Sequence, residues 1–266
     1  MSDEIRKSEN GRKKGRAALM VVILLLIVAL SVYLGYYLYG QYVARQNDDV
    51  ASSIAATTTE PETSGKAATN PIDFSSLQAK NSDIFSWLKV PGTKVDYPVL
   101  QHPSDDYFYL KHDAYTKYWS ASGAVYMELG NTNHYKDRVT VIYGHNGYGD
   151  SMFTTLHRFE SSEFFNKHQK FYIYMPKRKL TYQIVSAFKF DDRHLLNCYD
   201  FNNTKVYRDF LSMIQAPDTN NRNVSTSLSR ELTTDDKIVV LSTCFTNQPS
   251  NRYLVCGVLI KDEQTN

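Results

Sequence analysis

Residues 237–261 read KIVVLSTCFTNQPSNRYLVCGVLIK, two apolar runs separated by a polar insert. The first run, residues 238–241, is short and rich in β-branched side chains, which favours a strand buried on both faces. The insert is rich in turn-forming residues, and a second apolar run follows at residues 253–260. This pattern predicts two neighbouring strands that bring Cys244 and Arg252 to the same end of a sheet. On these residues alone, a plain hairpin with a core cysteine explains the pattern equally well.

A third strand-like run, residues 139–143 (VTVIY), ends at the glycine-flanked loop that contains His145. A cysteine acts as a nucleophile in its thiolate form, and a nearby imidazole is the usual means of producing it. A lone histidine after a strand is more often a solvated loop residue. Here, however, His145, Cys244 and Arg252 each lie at a strand end beside a turn signal. We therefore expect these three side chains to form one site.

Sequence motifs around these residues resemble a known family. LSTC, with an arginine eight positions after the cysteine and YGHN upstream, is similar to the sortases, the cysteine transpeptidases of Gram-positive cell surfaces. The segments WLKVPGTKVDYPVLQ (residues 87–101) and GDSMF (residues 149–153) resemble class B sortases specifically. The similarity covers roughly residues 84–261, and the motifs occur in the order of the family. The order of histidine before cysteine also differs from that of papain-like enzymes, and the QACxG context of caspases does not occur.

The resemblance implies a role for each site residue. Cys244 would attack the carbonyl of a threonine in a sorting signal and form a thioacyl enzyme. His145 would act as general acid and then as general base, and Arg252 would hold the substrate or stabilise the oxyanion. Ser242 and Thr243 occupy motif positions and are expected to line the substrate groove, although ending the strand explains them equally well. The expected partners are a sorting-signal peptide of a secreted surface protein and an amine of a peptidoglycan precursor or a pilin.

Two other functions stay open on the sequence. A cysteine hydrolase with the same three residues would release its substrate rather than attach it. A non-catalytic binding module tethered to the cell surface would carry an inert thiol at Cys244. Residue 245 is Phe, whereas some class B sortases have an acidic or polar residue there, so the neighbour of the thiol departs from the family pattern.

The composition of the 266-residue chain argues against several classes of protein. A net charge of +2 gives no support to nucleic-acid binding, and three cysteines do not make a disulfide framework. A bridge between Cys198 and Cys256 is an alternative, but we expect Cys256 to pack inside its strand. No CxxC or HExxH motif occurs and the seven histidines are scattered, so we expect no metal and no cofactor.

The N-terminal quarter has the pattern of a membrane anchor. Residues 1–16 form a basic tail, residues 17–39 an apolar span with tyrosines at its far end, and residues 40–70 a stalk rich in Ala, Thr and Ser that we expect to be flexible. The positive-inside rule then predicts a single-pass cell-membrane protein with a cytoplasmic N-terminus and an extracellular catalytic domain at residues 71–266. A cleaved signal peptide is the alternative, but its apolar region would be shorter.

The remaining chain contains about eight short strand-like runs and few helices, which predicts an all-β barrel or sandwich. The resemblance narrows this to the mainly β, eight-stranded sortase-type barrel with peripheral helices, preceded by one transmembrane helix. We also expect a helix after Ser151 as its N-cap and another over residues 206–214 with Asn203 as its cap. The second helix lies in the long connection 191–236, which would form a wall of the site, cover the barrel, or both.

Overall fold

The computed structural model describes residues 2–55, 70–147 and 149–266. Helix α1 (Ser2–Ala55) contains a stretch of 26 residues, Gly15–Gly40, that is long and apolar enough to cross a membrane. The predicted anchor, 17–39, lies within this stretch. Helix α1 also includes most of the basic tail and residues 40–55 of the stalk, although the composition predicts that the stalk is flexible. Extending an existing helix costs little per residue, and no proline interrupts it before Ala55. The rest of the predicted stalk before Asn70 lies outside the described residues.

Within the described residues, eight strands close into a barrel, as predicted. They follow the hydrogen-bonded order β5-β1-β2-β3-β4-β8-β9-β6, and pairing of β5 with β6 completes the circle, while β7 adds to the outer edge of β6. The strands are β1 (Ile84–Lys89), β2 (Asp96–Leu100), β3 (Val125–Tyr126), β4 (Val139–Tyr143), β5 (Lys170–Met175), β6 (Arg178–Asp191), β7 (Arg222–Val224), β8 (Ile238–Phe245) and β9 (Gln248–Gln264). The pairs β2–β3 and β4–β8 are parallel, and the other pairs are antiparallel.

Short helices surround the barrel: α2 (Phe74–Lys80), α3 (Ser162–Lys167), α4 (Leu195–Cys198) and α5 (Thr204–Gln215). The prediction for α5 is confirmed, and the side chain of Asn203 accepts hydrogen bonds from the first backbone N–H groups of this helix. The helix predicted after Ser151 is wrong. The chain forms a 3₁₀ segment at Thr154–Glu160 instead, with no side-chain cap, and Met152 has φ 51°. The apolar residues Phe153, Leu156 and Phe159 recur every three positions, which suits a 3₁₀ helix better than an α-helix.

Two apolar clusters cover β4 and β8 on both faces. Val239 and Leu241 of β8 pack into the barrel interior with Trp87 and Phe171. Ile238 and Val240, in contrast, belong to an outer cluster with the apolar face of α5, which includes Tyr207, Phe210, Leu211 and Ile214. The prediction of a strand buried on both faces is therefore confirmed for residues 238–241. Helix α5 acts as the cover of the barrel.

All three cysteines are free thiols, so the bridge between Cys198 and Cys256 does not form. Cys256 is fully buried in β9, as the sequence indicates, whereas Cys198 is exposed at the end of α4.

Candidate active site

The parallel pairing of β4 with β8 brings His145 and Cys244 to one edge of the barrel. The last pair of this ladder joins Tyr143 to Ser242, and each of the two predicted site residues follows two positions later. The amide of Gly144 donates to the carbonyl of Ser242 (3.2 Å), which extends the pairing by one residue. Because parallel strands end at the same edge of a sheet, the strand register itself places both side chains there.

The hairpin of β8 and β9 adds Arg252 to the same edge. Arg252 is the cross-strand partner of Cys244, and on its other side it pairs with Phe190 of β6. The β8–β9 ladder becomes irregular between Cys244 and Phe245, immediately before the turn. The thiol and the guanidinium therefore belong to neighbouring strands at the point where regular pairing ends.

A cavity of about 230 Å³ lies at this edge. Its lining includes all five predicted site residues: His145, Ser242, Thr243, Cys244 and Arg252. Eight of the other lining residues are aromatic or apolar, and four are polar or charged: Tyr107, Leu110, Tyr126, Tyr143, Gly144, Phe190, Leu195 and Leu254, with Glu128, Asp192, Arg193 and His194. Residues 192–195, at the start of the connection after β6, thus form one wall of the cavity. The sequence predicts such a wall from the connection 191–236.

Cys244 is exposed, whereas the imidazole of His145 is half-buried. Atom Nε2 of His145 lies 2.8 Å from the carbonyl oxygen of Leu110. Because a carbonyl only accepts, these partners assign the proton to Nε2, and Nδ1 is then the basic nitrogen of the neutral ring. The guanidinium of Arg252 is half-buried and donates through Nη1 to the carbonyl of Asn251 (3.1 Å).

Ser242 and Thr243 are 6% and 2% exposed, so both are largely shielded from solvent beneath the cavity. Among the described residues, the hydroxyl of Thr243 has no hydrogen-bond partner. A buried hydroxyl without a partner carries a desolvation cost, which a hydrogen bond to a ligand in the cavity would offset. Contact with substrate remains a prediction for both residues.

Glu128 is a buried carboxylate in the cavity wall that no sequence motif singles out. His194 donates through Nε2 to its Oε1 (2.8 Å), and the hydroxyl of Tyr143 donates to its Oε2 (3.4 Å). Burial raises the pKa of Glu128 above its ordinary value, and the hydrogen bond from His194 opposes this shift. A single acidic residue after a short strand gives no local signal in the sequence. Its position becomes apparent only when the barrel closes.

Asn146 and His157 are also missed, and both contact the backbone of Cys244. Their side-chain nitrogens lie 3.2 and 3.1 Å from the carbonyl oxygen of Cys244. Asn146 belongs to the YGHN motif, so the sequence offered a signal for it. His157 lies in the segment whose apolar spacing predicts only a helix face. Among the described residues, no group of three or more His, Cys, Asp or Glu side chains is arranged to hold a metal ion.

Comparisons with known proteins agree on one family. Residues 88–260 match the model of the sortase domain. Sortase B of Listeria monocytogenes is 29% identical over 186 residues, which cover 69% of this chain and 72% of that protein. Sortase B of Staphylococcus aureus is 29% identical over 190 residues, covering 71% and 75% respectively.

Solved structures give the same result. A crystal structure of sortase B from Bacillus anthracis aligns with a TM-score of 0.67 at 26% identity and covers 84% of this chain and 99% of that one. A mutant form of Clostridium perfringens sortase B aligns with a TM-score of 0.63 at 28% identity, covering 71% and 86%.

Proposed function

The chain belongs to the sortase family, and on that premise we propose that it cleaves a C-terminal sorting signal of surface proteins through a thioacyl intermediate on Cys244. It is a sortase B-type cysteine transpeptidase of the cell surface. The observation that supports the proposed mechanism most strongly is the presence of Cys244, His145 and Arg252 around one cavity at the open edge of the barrel.

In the first proposed step, the thiolate of Cys244 attacks the carbonyl carbon of a threonine in the sorting signal. Negative charge develops on the carbonyl oxygen, and Arg252 stabilises it, because a guanidinium stays charged and offers several fixed donors. His145, which carries the proton released by the Cys244 thiol, then gives it to the departing amine as the carbon–nitrogen bond breaks. We assign this transfer to Nδ1, the ring nitrogen that the carbonyl of Leu110 does not engage.

In the second step, an amine attacks the thioester carbon, His145 accepts its proton, and the Cys244 thiolate leaves. Substrate and acceptor are proposed from the family: a sorting-signal peptide and an amine of a peptidoglycan precursor or a pilin. The mostly aromatic and apolar walls of the cavity favour transfer to an amine over hydrolysis, because a bound peptide that excludes water slows hydrolysis of the thioester. Ser242 and Thr243 would line the groove for that peptide.

The N-terminal helix supplies the proposed anchor. Residues 15–40 of α1 are a candidate membrane span, and basic residues precede it. The positive-inside rule then places the N-terminus in the cytoplasm and the catalytic domain outside the cell. Protease added to intact cells should digest the catalytic domain and spare an epitope tag at the N-terminus. Protection of the catalytic domain would contradict this orientation.

The test of function uses the full-length protein in detergent and a peptide library with threonine at one fixed position. We expect cleavage after the threonine and, in the presence of hydroxylamine, a peptide hydroxamate in place of the free acid. Cys244→Ala should yield neither product. Absence of cleavage across the library, or unchanged cleavage by Cys244→Ala, would overturn the proposal.

The same experiment separates the two alternatives. A cysteine hydrolase would release only the free acid even at high hydroxylamine concentration. A binding module would give no product, and iodoacetamide would alkylate Cys244 no faster than the exposed Cys198.

A further inference from the structure

The backbone carbonyl of Cys244 lies two residues beyond the last β4–β8 pair, Tyr143 to Ser242, and two side chains contact it there. Asn146 Nδ2 lies 3.2 Å from this oxygen and His157 Nε2 lies 3.1 Å from it. Asn146 comes from the loop after β4, and His157 comes from the 3₁₀ segment Thr154–Glu160. Two separate parts of the barrel edge therefore converge on the main chain of the proposed nucleophile.

Hydrogen counting assigns the donors. The amide of Asn146 has two hydrogens, and its two acceptors are the carbonyl of Cys244 and the hydroxyl of Thr246 (3.0 Å). Atom Nε2 of His157 lies 3.3 Å from this amide nitrogen and 3.1 Å from the carbonyl oxygen of Cys244, which can only accept. Atom Nε2 of His157 therefore carries a proton and donates to Cys244.

The other ring nitrogen of His157 also faces an acceptor. Nδ1 lies 2.6 Å from Oε1 of Glu160, and Oε2 of Glu160 accepts from the amide of Asn221 (2.8 Å). Both ring nitrogens therefore face an oxygen atom, and the carboxyl group of Glu160 holds the Nδ1 side of the ring. The pair links the nucleophile strand to the segment before β7.

Aromatic packing fixes the plane of the ring. The imidazole of His157 stacks on Tyr253 with ring centroids 4.9 Å apart and an interplanar angle of 25°. Phe245 meets it edge-on at 5.6 Å. The side chain of His157 is only 14% exposed. Two hydrogen bonds and two aromatic contacts therefore leave the ring little freedom.

We propose that His157, held by Glu160, is a positioning residue that fixes the main chain of Cys244 and thereby the place from which its sulfur attacks. This inference rests on the proposed role of Cys244. His157 is outside the set of described residues that line the cavity, so it acts through the nucleophile and not on the peptide. Loss of the contact should accordingly lower kcat and leave KM nearly unchanged.

Four variants of the full-length protein test this role. His157→Phe keeps an aromatic ring but removes both donors, whereas His157→Gln retains an N–H near the position of Nε2. Glu160→Gln replaces the carboxyl group that holds Nδ1 with a neutral amide. His168→Gln is the matched control, because His168 is also a half-buried histidine that contacts a carbonyl, that of Phe164 (3.1 Å), and stacks on the Phe164 ring at 4.1 Å.

The measurements are kcat and KM for a peptide cleaved in the library screen, the iodoacetamide rate at Cys244 relative to Cys198, and the melting temperature.

Misplacement of a reacting group by about 1 Å can lower a reaction rate by about 10²-fold. We therefore expect His157→Phe to lower kcat by about that factor, with KM within about threefold of the wild-type value. His157→Gln should recover at least about tenfold of the loss, Glu160→Gln should lose about tenfold, and His168→Gln should match the wild type. The iodoacetamide rate ratio should change in His157→Phe and return toward the wild-type value in His157→Gln.

A kcat of His157→Phe within about twofold of the wild type, or equal losses in His157→Phe and His157→Gln, would overturn the inference. If His157→Phe does not fold by circular dichroism, unchanged kcat in Glu160→Gln is the result that overturns it. Cys244→Ala is measured in parallel. Activity in that variant would refute the proposed function, whereas an inactive Cys244→Ala beside a fully active His157→Phe would refute the positioning role alone.

Discussion

The two ends of the β8–β9 hairpin differ sharply, although they belong to the same two strands. At the end away from the turn, which we call the closed end, residues 238–241 and 254–256 are buried between the barrel interior and the outer cluster on α5. At the open end, Cys244 is exposed, Arg252 is half-buried and the ladder becomes irregular. The chain thus combines a fully packed base with a polar, open tip.

The two cysteines of the hairpin show what this difference means for chemistry. Cys256 is 0% exposed, and burial raises the pKa of its thiol far above the ordinary value. A thiol in that state is inert, because the thiolate is the nucleophile. Cys244 is exposed and lines the cavity together with His145 and Arg252. Position within the hairpin, and not residue type, separates a packing thiol from a candidate nucleophile.

The largest expected effect comes from removing each thiol in turn. Cys244→Ala should lower kcat/KM by about 10⁴-fold or more, because loss of a nucleophile removes the covalent pathway, with little change in melting temperature. Cys256→Ala should keep its kcat but lower the free energy of unfolding by about 1–2 kcal/mol, since it opens a small cavity in the core. Peptide cleavage and urea unfolding measure both quantities. A folded but inactive Cys256→Ala would contradict the division between the two ends.

A smaller effect is expected from Arg252→Lys at the open end. Lysine retains the charge but lacks the planar fork of donors, so we expect kcat/KM to fall by about 10²–10³-fold. Arg178→Lys is the matched control, since Arg178 uses its own fork on Asp262 (2.6 and 2.7 Å) and is not among the described residues that line the cavity. It should leave kcat/KM unchanged. Equal kcat/KM values for Arg252→Lys and the wild type would remove the guanidinium from the mechanism.

The smallest effect concerns Glu128 and appears in the pH dependence of stability. Because burial raises the pKa of this carboxyl in the folded protein, the folded state binds its proton more tightly than the unfolded state does. Its contribution to stability is therefore fully present below the unfolded pKa and is lost as pH rises through the folded pKa. Glu128→Gln should lose less stability than the wild type as pH rises from about 4 through that range. Parallel curves of melting temperature against pH for the two proteins would contradict this.

The closed end of the hairpin could be predicted from the sequence because its pattern is local. A run of β-branched residues indicates a strand buried on both faces, and residues 238–241 form one. The apolar run predicts β9 only over residues 253–260, whereas the strand spans Gln248–Gln264. Its polar ends pair through the backbone with β6 and β8, and hydropathy does not report that pairing.

The open end could be predicted only in part. Cys244, His145 and Arg252 follow strand ends and belong to recognisable motifs, so the sequence singles them out. Glu128 and His157 come from segments without a chemical motif. Each approaches the site because of strand order and barrel closure, which are long-range features. The apolar residues after Ser151 predict an α-helix, whereas their three-residue spacing suits the 3₁₀ segment that forms, and the His157 contact depends on that segment.

Mass spectrometry of the trapped intermediate tests the central claim most directly. The full-length protein is mixed with a peptide that it cleaves, quenched in acid and digested. We expect the acyl part of the peptide on the fragment that contains Cys244, and its disappearance after addition of hydroxylamine. Two results would contradict the claim that the open end of the hairpin carries the nucleophile. One is cleavage of the peptide with no adduct, in the wild type and in His145→Ala. The other is an adduct on Cys198 instead of Cys244.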